Sequence, residues 1–71
     1  MALIIYTLIT TDWNGDAEIL NIYPDYYNAV QAADKALKDD PDLMTAEVLL
    51  ESVEADGKHT KAQLYRASNP A

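Results

Sequence analysis

The chain has 71 residues, no cysteine, and 12 acids against 5 bases, a formal charge of −7. This length makes one domain, and the lack of cysteine excludes disulfides, thiolate nucleophiles and cysteine-based zinc sites. A field of this sign repels nucleic acid and anionic membrane and attracts basic partners, so neither direct nucleic-acid binding nor membrane association is expected.

Residues 3–11, LIIYTLITT, are almost all β-branched, aromatic or leucine and predict a first strand over about 2–12. Both alternating sets are apolar, which places this strand in the interior of a sheet. Asp12-Trp13-Asn14-Gly15-Asp16 then reads as a hairpin turn, because Asn-Gly tolerates the positive φ that tight turns need. A second strand follows over 17–23. With a two-residue turn, Ile9 faces Leu20 and Tyr6 faces Tyr23. A three-residue loop with a bulge shifts the pairing by one.

Pro24 ends that strand, and Asp25 is a good N-cap for a helix over about 25–38. Tyr26, Ala29, Val30, Ala33 and Leu37 make one helical stripe. Pro41 stops the helix, and Asp39 to Asp42 form a loop. Residues 46–54 predict a third strand, Asp56-Gly57 a second hairpin turn, and residues 59–66 a fourth strand. A two-residue turn there pairs Glu47 with Arg66 and Glu54 with His59. The tail 67–71 is expected to fray.

The fold class is therefore α+β, with element order β-β-α-β-β. The helix returns the chain across the sheet, and skipping one position puts the third strand beside the first. The expectation is one antiparallel four-stranded sheet of order 2-1-3-4 with one helix on one face.

One helix covers one face. The first strand and its partner offer two sets, Leu3, Ile5, Ile9, Leu20 and Ile22 on one side and Ile4, Tyr6, Leu8, Ile19 and Tyr23 on the other. The second set is expected to be open and to serve self-association, because tyrosine is favoured at interfaces. Homodimerisation through that face is one candidate activity.

Catalytic parts are not legible. His59 is the single histidine and has no nucleophile or cofactor signal beside it. Ser52 and Ser68 lie outside any strand–turn–helix elbow. The run from Asp12 to Asp16 lacks the calcium-loop spacing, and with only Gly15 and Gly57 there is no phosphate loop. No enzyme activity, metal or cofactor is expected.

The acids are unevenly spread. Residues 1–54 hold 11 of them against Lys35 and Lys38, whereas residues 55–71 hold Asp56 against Lys58, Lys61 and Arg66. Trp13, the one tryptophan, sits at a hairpin tip among acids. It either folds back over the hairpin or anchors a partner, since tryptophan is enriched in interface hot spots. Asp12, Trp13, Asp16, Glu18, Asp39, Asp40 and Asp42 are the candidate partner-binding residues, with the acids steering a basic protein.

The pattern Tyr6-x-Leu8, Asp12-x-x-Gly15-Asp16, Glu18-Ile19 and Ile22-Tyr23, followed by Ala29, Ala32 and Ala33, resembles in general style the small acidic anti-defence inhibitors of bacterial viruses, anti-CRISPR proteins among them. The resemblance implies a non-enzymatic inhibitor. It would act in the cytoplasm of the host cell, occupying a basic, nucleic-acid-binding surface of a defence protein by charge mimicry. The apolar N-terminal run has no basic leader and is too short to span a membrane, which also predicts a cytoplasmic location. The alternative expectation is a structural or accessory domain that dimerises through its open sheet face.

Overall fold

The computed structural model describes residues 3–70. It contains β1 (Leu3–Asp12), β2 (Ala17–Tyr23), α1 (Tyr26–Asp39), β3 (Leu43–Val53) and β4 (His59–Ser68). All strand pairs are antiparallel, and the order across the sheet is β2-β1-β3-β4. The α+β architecture expected from the sequence is the observed one. The start of the first strand at residue 2 and the last tail residue lie outside the described residues.

Both hairpins use a three-residue loop. The amide of Gly15 donates to the Asp12 carbonyl at 3.0 Å, and the amide of Asp12 to the Asp16 carbonyl at 3.0 Å. The second hairpin repeats this with Gly57 to Glu54 at 2.9 Å and Glu54 to Lys58 at 2.8 Å. Each glycine has φ +89°, the left-handed value that a type I turn followed by a bulge requires. The two-residue turns are thereby corrected, and near each tip the register shifts by one. Ile9 faces Ile19 rather than Leu20, and His59 faces Val53 rather than Glu54.

Farther along, each edge strand spends one extra residue and regains the expected register. Leu20 is extra in β2, so Tyr6 faces Tyr23. Leu64 is extra in β4, so Glu47 faces Arg66. Both bulges lie beside the central pair of Leu8 with Val48.

Helix α1 forms where the alanine stripe and its cap place it. The carboxylate of Asp25 accepts from the amide of Tyr27 at 2.9 Å, satisfying one of the helix's orphan donors. Its inner face brings Ala29, Ala33 and Leu37 against Leu8, Ala46 and Val48, and these six residues are the buried apolar core. Tyr6, Tyr23 and Tyr65 pack around its margin. The ring of Tyr26 meets that of Tyr6 at a 6.0 Å centroid distance, tilted by 60°.

The two faces of the sheet are thus the reverse of the expected pair. Tyr6, Leu8 and Tyr23 lie under the helix and are not an open self-association surface. The physical reason is depth. A helix presenting alanine approaches the sheet closely and leaves room for large side chains only from the sheet side. Ile4 is on the helix side by alternation but stays half-exposed near the start of β1. Ile19 is exposed as expected, but it pairs with Ile9 and so shares the other face.

The tail also departs from expectation. Ala67 and Ser68 extend β4. The Asn69 carboxamide donates to the carbonyls of Leu37 and Leu43 at 2.9 Å each and of Asp40 at 3.3 Å. Its amide donates to the Met44 carbonyl at 2.9 Å. One side chain thereby joins the end of α1, the α1–β3 loop and the start of β3.

Candidate protein-interaction site

Two surfaces stand out. The first is an acidic end. The β1–β2 tip and the α1–β3 loop are far apart in sequence but meet where the Trp13 indole Nε1 donates to the Pro41 carbonyl at 3.0 Å. Asp12 also pairs with Leu43 across β1 and β3. The same end of the molecule therefore carries Asp12, Asp16, Glu18, Asp39, Asp40 and Asp42, half of the chain's 12 acids. Lys38, in the last turn of α1, is the nearest base in sequence to this group.

These carboxylates do different work. Asp12 accepts from the amides of Asn14 at 2.9 Å and Asp16 at 3.0 Å, which fixes the turn. Asp40 accepts from the amide of Asp42 at 3.0 Å in the same way. Asp16, Glu18, Asp39 and Asp42 are exposed and make no side-chain hydrogen bond among the described residues. Trp13 is both pinned and presented, being held by its N–H while 45% of it remains exposed. Thr10, Asp12, Asp16, Ala17, Glu18 and Leu43 line a shallow cavity of about 170 Å³ there. Among the described residues no three His, Asp or Glu side chains gather as a metal site.

The second surface is the sheet face away from the helix. Alternation along β1 and cross-strand pairing put Leu3, Ile5, Ile9, Ile19, Ile22, Leu49 and Val53 on it. Leu20 and Leu64, the extra residues of the two bulges, have no partner in the register and are exposed at the sheet's edges. Leu3 is 65%, Ile19 62% and Ile22 52% exposed. Among the described residues no element covers this face, and patches of this kind mark interaction surfaces.

A polar seam crosses the same face. Thr7, buried in its middle, donates through Oγ1 to Glu51 Oε1 at 3.1 Å. Glu51 lies 3.5 Å from His59 Nε2, and Glu47 lies 3.8 Å from Arg66 Nε. Lys61 faces Glu51 across β3 and β4. The expected pairing of Glu47 with Arg66 is present, whereas His59 meets Glu51 in place of Glu54. Among the described residues the charged side chains of this face are thus two acids, Glu47 and Glu51, and two bases, Lys61 and Arg66, with His59 beside Glu51.

Among the described residues no helix is long and apolar enough to cross a membrane. Comparison with known proteins finds no matching family model, no similar curated protein and no similar solved structure.

Proposed function

We propose that this chain is a non-enzymatic protein-interaction module that presents its acidic end, with Trp13 at the tip, to a basic surface of another protein. The observation that carries this reading is the bond from Trp13 to Pro41, which joins two separate acidic segments into one end. Carboxylates held together on a rigid hairpin and loop can occupy a groove built for phosphates, because both are arrays of fixed negative charge. In the anti-defence setting suggested by the sequence, the partner is a nucleic-acid-binding host protein and the outcome is inhibition.

Capture from host lysate at low and at high salt tests this reading. The wild-type protein should retain a basic, nucleic-acid-binding protein at low salt and release it as salt rises. The variant Asp16→Asn/Glu18→Gln/Asp39→Asn/Asp42→Asn, which spares the two turn-fixing carboxylates, should retain none. Failure to capture any basic protein at low salt would overturn the reading. Trp13, as the single tryptophan, gives a direct fluorescence readout of the contact once a partner is in hand.

A further inference from the structure

We propose that the open sheet face is buried against the same face of a second copy of this chain, in a two-fold dimer with both helices on the outside. The first support is charge. Each chain carries −7, yet this face is balanced, with Glu47 and Glu51 set against Lys61 and Arg66. A basic partner gains nothing from a neutral face. A second copy meets no like-charge opposition there, because the acids of the hairpin tip and the α1–β3 loop lie at the end of the sheet.

Area agrees. Four strands about 4.8 Å apart, about ten residues long at roughly 3.3 Å each, present on the order of 600 Å². Two such faces bury about 1,200 Å² in all, the lower edge of stable specific interfaces. The need for cover is intrinsic to the chain. Its buried apolar core is Leu8, Leu37, Val48 and three alanines, while Ile4, Ile19 and Ile22 are exposed outside it. Domains this small commonly supplement such a core by self-association.

Edge-to-edge pairing is disfavoured, which leaves the face. On β2 the amide of Ile22 donates to its neighbour Asn21 Oδ1 at 2.8 Å, so a main-chain donor of the edge is already used. The Leu20 bulge breaks the same edge, and β4 carries its own bulge together with Lys61 and Arg66. Face-to-face packing about 10 Å apart about a two-fold axis closes the assembly at two copies.

Sedimentation over micromolar to submillimolar protein, at low and high salt, tests the proposal. The expected result is a dimer that added salt leaves unchanged or strengthens, since salt screens the repulsion between like-charged copies. Ile22→Lys, at an exposed position, should raise the dissociation constant at least about tenfold by setting an unpaired charge in an apolar interface, with the circular dichroism spectrum unchanged. Tyr27→Lys, on the exposed outer side of α1, should not. A monomer at every concentration and salt overturns the proposal, as does a dimer indifferent to Ile22→Lys. If Ile22→Lys does not fold, concentration-dependent amide shifts of the wild-type protein decide. Shifts at Ile9, Ile22, Leu49 and Val53 support the face, and shifts confined to α1 or the acidic end overturn it. The proposal does not rest on the acidic-end reading. The four-carboxylate variant should still dimerise, so the two readings fail separately.

Discussion

The two faces of this sheet come from the same strands and are both rich in leucine, isoleucine or valine, yet they end up in opposite environments. Beneath α1, Leu8 and Val48 are fully buried against Ala29 and Ala33. On the other side Ile19 and Ile22 are more than half exposed. Hydrophobicity therefore does not distinguish the faces. The shape of the covering element does, because a helix lined with alanine fits over large side chains and is held at its margins by polar ties. The contrast predicts that substitutions on the covered side read out as folding and those on the open side as association.

The largest effect should come from Leu8→Ala. Removing a buried leucine side chain costs about 2–5 kcal/mol, close to the whole stability of a domain this small. Urea unfolding should show a chain largely unfolded without denaturant. Ile22→Ala in the monomer should stay within about 0.5 kcal/mol of wild type. A comparable loss at both positions would erase the distinction between the faces.

Asn69→Ala is the next test, since it removes three donor contacts that hold the end of α1 and the following loop to β3. A cost of about 1–2 kcal/mol is expected, with hydrogen exchange accelerated first at residues 39–43. Gly15→Ala and Gly57→Ala belong to neither face. Apart from the adjacent residues no described atom lies within 4 Å of the added Cβ at either site, so only the φ of +89° opposes it. Each should cost about 1 kcal/mol, and equal costs in thermal melts would support the shared loop geometry.

The smallest effect concerns the tie between Tyr65 and Asp34. The Tyr65 hydroxyl donates to Asp34. That bond, followed by burial and the Asp34 charge, raises the phenol above its ordinary value. Because the folded state favours the protonated phenol, the contribution is fully present below about pH 10 and is lost as pH rises through the raised value. Tyr65→Phe should cost less than about 1 kcal/mol, because the pair is solvent-screened. It should also flatten the alkaline limb of the stability profile.

Strand order, helix position and the N-cap at Asp25 were all legible in the sequence, because each rests on local chemistry: alternation, Gly turns, a proline stop. The faces were not. Tyrosine in a sequence suggests an exposed side, whereas its hydroxyl can equally sit at the exposed rim of a covered one, as that of Tyr65 does at Asp34. Register was half legible. The pairs Tyr6 with Tyr23 and Glu47 with Arg66 hold because each bulge cancels the shift made by its loop, and no residue pattern near Leu20 or Leu64 announces that cancellation. The role of Asn69 leaves no mark in the sequence, because its partners are backbone carbonyls brought close only by the fold. The gathering of Trp13 with the α1–β3 loop has the same origin, since Pro41 contributes its carbonyl rather than a side chain.

The side-chain cap on Ile22 and the two bulges have a consequence for how concentrated this protein can become. Open sheets with free edges can add strand to strand without limit and grow as fibrils. Here a carboxamide fills one edge donor, and an extra leucine kinks each edge strand. Growth along the hydrogen-bonding direction is therefore disfavoured at both sides. A concentrated solution of this chain is thereby protected from strand-by-strand polymerisation, even though Ile19 and Ile22 are exposed.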